Sequence, residues 1–140
     1  MLYKDFMKDR TECPFCGNRQ EQILKLEYGY LTYSLAPYTK HHLMVVVNRH
    51  IESVIEMTEA EVLEVNTLER IALDVLHKLG YTNATFLVRE GVSGDKSVPH
   101  VHFHVIPKIA IATVETDARE RRIMTEEEVE ETIADIKKSL

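Results

Sequence analysis

The chain has 140 residues, 44% of them hydrophobic, which is enough for one compact domain and too few for two ordinary ones. Its 17 Lys and Arg against 23 Asp and Glu give a formal net charge of −6, which argues against the broad basic face of proteins that bind nucleic-acid polymers or anionic membranes. The sequence also lacks a secretory signal, an apolar run near the roughly 18 residues of a membrane span, and enough Cys for a disulfide framework. We therefore expect a cytoplasmic, single-domain protein.

The N-terminal half predicts three strands after a polar opening segment. Residues 23–35 alternate apolar and polar side chains around Gly29, which predicts two strands joined or bent there. Pro37 ends this run. Residues 43–47 (LMVVV) form a short apolar stretch rich in β-branched residues and predict a buried strand.

The remaining elements are marked by two capping boxes and two further strands. Thr58 and Glu61 open a long amphipathic helix that Gly80 ends. Residues 83–89 predict a strand, residues 100–106 another strand ended by Pro107, and residues 125–128 open a C-terminal helix. We predict an α+β fold, with a mainly antiparallel sheet, one long helix and a C-terminal helix.

Three histidines at alternate positions are the most informative feature of the sequence. In a strand, His100, His102 and His104 would line one face about 6 to 7 Å apart, with apolar residues on the other face. Three protonated imidazoles would repel one another, so at least one should be a metal ligand or be held neutral. The row suits either metal binding or nucleophilic attack on phosphorus.

The loop before this strand favours the phosphorus chemistry. Glycines allow close backbone approach, hydroxyls and backbone amides can hold phosphate oxygens, and two cations add local positive charge. These residues are Arg89, at the end of the preceding predicted strand, and the loop residues Gly91, Ser93, Gly94, Lys96 and Ser97.

Residues 100–106 follow the pattern His–apolar–His–apolar–His–apolar–apolar and resemble the histidine triad (HIT) family. The glycine loop, residues 97–99, Pro37-Tyr38, residues 42–46 and Arg49-His50 resemble further family segments in the right order. The resemblance covers roughly residues 13–108. It implies a HIT-like, nucleotide-binding α+β domain that is usually a homodimer.

The resemblance also implies a reaction and roles for individual residues. His102 would be the nucleophile that forms a covalent nucleotidyl-histidine intermediate, His104 would contact the α-phosphate and leaving group, and His42 would support them. The substrate would be a nucleoside phosphoramidate, dinucleoside polyphosphate or related nucleotide. Water or phosphate would accept the nucleotidyl group, so hydrolase and transferase activities both remain open.

Six positions would contact the substrate: Ser34, Arg89, Gly91, Gly94, Lys96 and Ser97. Ser34 stands where many relatives have Asp or Asn for the ribose, and Arg89 and Lys96 replace frequent amides. Two cations in place of two amides suggest a more anionic ligand than a simple phosphoramidate.

Cys13-Pro14-Phe15-Cys16-Gly17 has the form of a zinc knuckle, although such a pair can also be redox-active. The resemblance supplies two further ligands, His50 and His100, and so implies a structural Cys₂His₂ zinc site. The chain would then divide into a zinc-knuckle segment (1–20), a HIT core (21–108) and a C-terminal extension with a helix (109–140).

Two other kinds of protein remain open at this point. One is a nucleotide-binding regulatory or scaffolding protein with little turnover, and the other is a structural protein in which the histidine row only binds metal. His41 and His77 are expected at the surface. Tyr28, Tyr30 and Tyr33 suit core or dimer contacts better than base stacking.

Overall fold

The computed structural model describes residues 1–8, 12–91, 98–108 and 121–140. Its elements in chain order are α1 (Tyr3–Lys8), β1 (Leu24–Lys25), β2 (Gly29–Tyr33), β3 (Leu43–Val47), a 3₁₀ turn (Val54–Glu56), α2 (Glu59–Lys78), β4 (Ala84–Val88), β5 (His102–Pro107) and α3 (Glu126–Ser139). The predicted α+β class, with one long helix and a C-terminal helix, is confirmed. The division of the chain into three functional segments stays a prediction.

The five strands form one sheet in the order β1-β2-β3-β5-β4, and every neighbouring pair is antiparallel. The predicted break at Gly29 is confirmed, because β1 ends before it and β2 begins at it. A Cβ atom at Gly29 would lie 2.8 Å from the backbone oxygen of Val46 on the paired strand. Glycine is therefore needed where β2 approaches β3.

The register of β3 and β5 gives the sheet two different faces. Leu43 pairs with Val105 and Val45 with Phe103, and these side chains pack in the core beneath α2. The alternate pairs, Met44 with His104 and Val46 with His102, point to the opposite face. That face is covered in part by Phe15 from the N-terminal segment. The alternation predicted for the histidine strand thus places the core side chains on one face of β5 and the imidazoles of His102 and His104 on the other.

Both predicted capping boxes are present. The Thr58 hydroxyl accepts from the backbone N–H of Glu61 while the Glu61 carboxylate accepts from that of Thr58, and Thr125 and Glu128 form the same pair. Gly80 follows α2 with φ +97°, a conformation that favours glycine. No helix within the described ranges is long and apolar enough to cross a bilayer.

The prediction of a strand from His100 was wrong at its start, because β5 begins at His102 and its last residue is Pro107. The two residues before β5 make hydrogen bonds to other segments instead of continuing the strand. The Val101 N–H donates to the Ile51 oxygen at 2.8 Å, and His100 Nε2 donates to the Val47 oxygen at 2.6 Å. His100 is fully buried. Its imidazole faces the N-terminal segment instead of continuing the row of His102 and His104.

The two ends of the chain meet beside the sheet. The Tyr3 N–H donates to the Arg121 oxygen at 2.8 Å, and the Ile123 N–H donates to the Met1 oxygen at the same distance. A single β-bridge joins Leu2 to Arg122 between these bonds. We call residues 1–3 and 121–123 the terminal bridge. The polar opening sequence predicted neither this bridge nor α1.

Candidate active site and metal centre

Three buried histidines meet on the face of β3 and β5 that points away from α2. His102 and His104 project from β5 with ring centroids 4.9 Å apart, and His42 lies just before β3. Their exposed fractions are 7%, 7% and 1%. The structure therefore brings together the three residues predicted to be catalytic.

A chain of hydrogen bonds fixes the tautomers of His42 and His104. The backbone N–H of Tyr38 donates to His42 Nδ1 at 3.2 Å, so His42 carries its proton on Nε2. His42 Nε2 then donates to His104 Nδ1 at 2.9 Å. His104 in turn must carry its proton on Nε2. The network thus makes His104 Nε2 a hydrogen-bond donor.

The tautomer of His102 is fixed in the opposite sense. Its Nδ1 lies 2.8 Å from the backbone oxygen of His100, which can only accept, so the proton is on Nδ1. In the neutral ring, Nε2 then carries the lone pair. The neighbouring rings of His102 and His104 consequently differ, since Nε2 carries the lone pair in His102 and the proton in His104.

Burial keeps the supporting imidazoles neutral. Desolvation lowers the pKa of His42 well below its usual value, and the charge of Arg121 lowers it further. Desolvation does the same to the pKa of His104, with smaller contributions from His42, His102, Arg121 and Arg89. The hydrogen-bond chain described above requires this neutral state.

A cavity opens over His102 and His104. It contains about 450 Å³ of space, including its solvent-open mouth. Phe15 forms part of its wall, with its ring centroid 5.0 Å from that of His102. The lining side chains belong to Tyr3, Phe6, Pro14, Phe15, Gln20, Ser34, Leu35, Ala36, Met44, Val98, His102, His104 and Arg121.

The predicted substrate-binding residues have different positions relative to this cavity. Ser34 is buried and lines it. Arg89 follows β4 and does not line it, although its charge lowers the pKa of His104. Gly91 adopts φ +127°, a glycine conformation, at the beginning of the loop. Gly94, Lys96 and Ser97 lie outside the described residues.

Arg121 lines the cavity, and the sequence analysis missed it. Its guanidinium lies 4.1 Å from the ring centroid of Tyr38 and 4.9 Å from that of Tyr3, and Nη1 donates to the Ala36 oxygen at 2.6 Å. The terminal bridge carries this residue to the cavity. No local motif marks Arg121, because its position depends on contacts between the two ends of the chain.

Cys13, Cys16, His50 and His100 form a second cluster, whose donor atoms all lie within 4.8 Å of one another. Cys16 Sγ is 3.2 Å from His50 Nδ1 and 3.5 Å from His100 Nδ1, and Cys13 Sγ is 3.4 Å from His100 Nδ1. Tetrahedral zinc with ordinary bond lengths separates sulfur and nitrogen ligands by about 3.5 Å. The four predicted ligands therefore fit one tetrahedral ion.

The second nitrogen of each histidine supports this fit. His100 Nε2 donates to the Val47 oxygen at 2.6 Å, and His50 Nε2 lies 3.0 Å from Glu52 Oε2. Such partners orient a metal-binding imidazole and leave its other nitrogen, here Nδ1, with the lone pair. Both lone pairs point towards the two thiols.

Two arginines hold the segments that carry these ligands. The Arg19 guanidinium donates to the backbone oxygens of Cys13 and Cys16, which fixes the turn between the two thiols. Beside His50, Arg49 donates to the buried Glu61 carboxylate at 2.8 Å. This bond lowers the pKa of Glu61 and anchors the chain to the start of α2.

The prediction for His41 was wrong. His41 is only 8% exposed, with Nδ1 2.7 Å from the Tyr81 hydroxyl and Nε2 2.8 Å from Asp135 Oδ2. The reason is that α3 packs over the segment before β3 and provides the carboxylate. His77 is exposed, as predicted. Tyr30 and Tyr33 are buried, whereas Tyr28 is 39% exposed.

The HIT domain family model matches residues 17–111, which is more than half of the chain. The chain belongs to the HIT domain family. The resemblance inferred from the histidine strand is thereby confirmed, and the match includes β1 to β5.

Three curated proteins are similar in sequence to this HIT chain. An uncharacterized HIT-like protein of Methanocaldococcus jannaschii is 33% identical over 101 residues, covering 69% of this chain and 78% of that protein. The bis(5'-nucleosyl)-tetraphosphatase (asymmetrical) of Schizosaccharomyces pombe is 29% identical over 76 residues, or 54% of this chain. The bis(5'-adenosyl)-triphosphatase of Dictyostelium discoideum is 25% identical over 96 residues, or 68% of this chain. This HIT chain spans only 42% and 64% of the lengths of those two hydrolases.

Solved HIT structures share the fold. A hypothetical histidine triad nucleotide-binding protein from Sulfolobus tokodaii has a TM-score of 0.75 at 18% identity, covering 91% of each chain. A Zn-bound histidine triad family protein from Mycobacterium smegmatis has a TM-score of 0.65 at 14% identity, covering 98% of this chain and 90% of that one. At these identities the comparison establishes the architecture alone.

Proposed function

We propose that this HIT protein is a nucleotide hydrolase that acts at the α-phosphate of a dinucleoside polyphosphate, nucleoside phosphoramidate or related nucleotide. The observation that carries the proposal is the opposite protonation of two adjacent imidazoles, with a lone pair on His102 Nε2 and a proton on His104 Nε2. The names of two relatives, a bis(5'-nucleosyl)-tetraphosphatase and a bis(5'-adenosyl)-triphosphatase, support the same substrate class.

In the proposed reaction, His102 Nε2 attacks the α-phosphorus and forms a nitrogen–phosphorus bond. The bond from phosphorus to the leaving group breaks, and His104 Nε2–H donates its proton to the departing atom. Water then breaks the nitrogen–phosphorus bond, releases the nucleoside monophosphate and returns a proton to His104. His42 is a positioning residue, because it acts through His104 and does not line the cavity.

We also propose that the cysteine–histidine cluster binds a structural zinc ion. The sulfur–nitrogen distances and the partners of both Nε2 atoms support this assignment, and the Mycobacterium smegmatis protein, which shares the fold, is Zn-bound. A zinc ion there would tie the N-terminal segment to His100, immediately before the catalytic strand. It would supply rigidity, since all four ligands come from the protein.

We propose a homodimer because the edge strand β4 carries exposed apolar side chains. This strand is at one edge of the sheet, and Phe86 and Val88 on the same side of it are 44% and 37% exposed. Two apolar side chains on an exposed edge strand favour association with another chain. Light scattering should give twice the chain mass for the wild type and a monomer for Phe86→Asp. A wild-type monomer would contradict the proposal.

The hydrolase proposal is tested by trapping the intermediate. Wild-type protein is mixed rapidly with diadenosine triphosphate labelled at the α-phosphate, quenched with base and analysed for acid-labile label on His102 by mass spectrometry. We expect a labelled peptide in the wild type and none in His102→Asn, which should also lose turnover by at least a factor of about 10³. The His77→Asn variant, altered at an exposed site on α2, is the matched control.

The same experiment separates the remaining alternatives. Hydrolysis of diadenosine triphosphate already gives AMP and, as the leaving group, ADP, so the added phosphate must itself carry an isotopic label. Label that appears in ADP shows that phosphate has accepted the adenylyl group and identifies a phosphorolytic transferase. Bound nucleotide without label or turnover would favour a regulatory HIT protein and contradict the hydrolase proposal. Full activity in His102→Asn would contradict the covalent mechanism.

A further inference from the structure

Among the described residues that line the cavity over the histidines, Gln20 carries the one carboxamide. We propose that Gln20 is a specificity-determining residue whose side-chain oxygen accepts a hydrogen bond from the exocyclic amino group of a nucleobase. It would thereby select adenine or cytosine over the corresponding keto bases, hypoxanthine and uracil. The inference rests on the proposed function, because it names the class of nucleotide that the same cavity takes.

The orientation of the Gln20 amide is fixed by the strand beside it. Nε2 donates to the Tyr33 backbone oxygen at 2.6 Å, and a carbonyl oxygen can only accept. Nε2 also donates to Thr32 Oγ1 at 3.0 Å, and the proton of that hydroxyl is given to the Glu21 oxygen at 2.8 Å. Both protons of Nε2 are therefore used. The amide cannot flip without losing two buried hydrogen bonds.

The oxygen of the same amide is left as an acceptor. Within the described part of the chain, no protein group donates to Gln20 Oε1, and this atom is not sealed off from solvent as the partnerless Asn48 Oδ1 is. The Gln20 side chain is only 9% exposed, and it lines the cavity. Since Nε2 faces the strand, Oε1 is the polar atom that Gln20 offers to a ligand.

The sheet register sets the distance between this acceptor and the catalytic histidines. Thr32 pairs with Met44, and Met44 pairs with His104, so the three residues form one row across β2, β3 and β5. Two strand spacings amount to about 10 Å. A nucleotide whose α-phosphate lies at His104 spans this length with its ribose and base. Ser34, the predicted ribose contact, lines the cavity and follows Thr32 on the same face of the chain.

The walls around Gln20 suit a flat base but do not distinguish one base from another. Apolar side chains pack against the faces of any base, whereas a polar group at the edge discriminates. The amino groups of adenine and cytosine donate, and the oxygens at the same positions of keto bases accept. Two acceptors that face each other are both left unsatisfied. The apolar wall consists of Pro14, Phe15, Leu35, Ala36, Met44 and Val98.

Binding of nucleoside monophosphates tests the assignment without turnover. Isothermal titration of the metal-loaded wild type compares AMP with IMP and CMP with UMP, two pairs in which an amino group is exchanged for a keto oxygen. We expect the amino member to bind at least about tenfold more tightly than the keto member in one pair or both. The pair that shows the preference identifies whether the cavity takes a purine or a pyrimidine.

Three variants connect the preference to one atom. Gln20→Met removes the acceptor at nearly equal length and should reduce the ratio within a pair to less than about threefold. Gln20→Lys keeps donors for Tyr33 and Thr32 but has no acceptor, and it should abolish the preference as well, which covers the case that Gln20→Met does not fold. Gln22→Met is the matched control, because Gln22 donates to the Gly17 oxygen at 3.0 Å and does not line the cavity. Its ratios should equal those of the wild type.

The assignment is overturned if the wild type binds both members of each pair equally, or if a folded Gln20 variant keeps the wild-type preference. Equal loss of both members in Gln20→Met also overturns it, because the oxygen would then contact the ribose or the phosphate. Failure of the proposed reaction gives a different result. A wild type that selects the amino base through Gln20 but releases no monophosphate from any substrate would contradict the hydrolase and leave the base assignment standing.

Discussion

His42 and His104 are joined by a hydrogen bond of 2.9 Å, from Nε2 of His42 to Nδ1 of His104. The direction of this bond is set outside the pair, because the Tyr38 backbone N–H donates to the other nitrogen of His42. A backbone amide thereby determines which nitrogen of His104 carries the proton beside the cavity. The proposed chemistry of the site would therefore depend on these hydrogen bonds as well as on the histidines themselves.

Removal of the hydrogen-bond donor of His42 should lower kcat without weakening substrate binding. In His42→Phe, His104 Nδ1 loses the bond that fixes its tautomer, and a buried nitrogen is left unsatisfied. We expect kcat for diadenosine triphosphate to fall by a factor of about 10 to 100, with KM changed less than threefold. His42→Asn, which keeps an amide donor, should recover part of the loss. A wild-type value of kcat in His42→Phe would show that the hydrogen bond from His42 to His104 has no role in catalysis.

The lowered pKa of His42 and His104 predicts a loss of stability in mild acid. Below pH 6.5 the unfolded chain binds protons at these residues before the folded protein does, so the free energy of unfolding falls as the pH decreases. Each group contributes a slope of up to about 1.4 kcal/mol per pH unit. Above pH 6.5 both states are neutral at these positions and the slope should vanish.

Urea unfolding between pH 5 and pH 8 measures this slope. The slope assigned to His104 is the difference between the wild type and His104→Asn, because every other titratable group is common to the two proteins. The variant should lose about half of the excess dependence below pH 6.5. Identical slopes in the two proteins would mean that His104 titrates normally in the folded state.

The strands, α2, α3 and the placement of His102 beside His104 could be predicted because their signals are local. Alternation at β5 places His102 and His104 on one face, and capping boxes at Thr58 and Thr125 mark where helices begin. The assignment of ligands His50 and His100 came from family resemblance, since 34 and 84 residues separate them from Cys16. Spacing alone could not have paired them.

The cavity wall could not be predicted, because it forms where distant segments meet. Phe15 reaches His102 only when the cysteine turn packs on β3, and Arg121 reaches the cavity only when the two chain ends pair. The expectation that His41 is exposed was wrong for the same reason. The carboxylate that binds it, on Asp135, is 94 residues away in α3.

His41 should therefore contribute to stability, whereas His77 should not. His41→Asn removes contacts to Tyr81 and Asp135 but suits the backbone, since His41 has φ 64° and Asn tolerates this conformation. We expect a loss of about 1 to 3 kcal/mol in the free energy of unfolding. His77→Asn, at an exposed helical position, should change it by less than about 0.5 kcal/mol. Equal values in urea unfolding would contradict the importance of the α3 contact.

The proposed zinc site makes the most direct prediction about metal removal. Purified protein should contain one zinc per chain, and cobalt substituted for it should give the intense visible bands of tetrahedral coordination with thiolates. Cys16→Ser should abolish these bands and the bound zinc, because serine is a poor ligand for zinc, whereas His77→Asn should retain both.

Chelation should lower the melting temperature, since binding energy at a closed four-ligand site is folding energy. It should also lower turnover, because Cys16 lies next to Phe15, whose ring centroid is 5.0 Å from that of His102. A redox pair would instead form a Cys13–Cys16 disulfide under mild oxidation with no zinc to release. Full zinc content in Cys16→Ser, or an unchanged melting temperature after complete chelation, would contradict a structural metal.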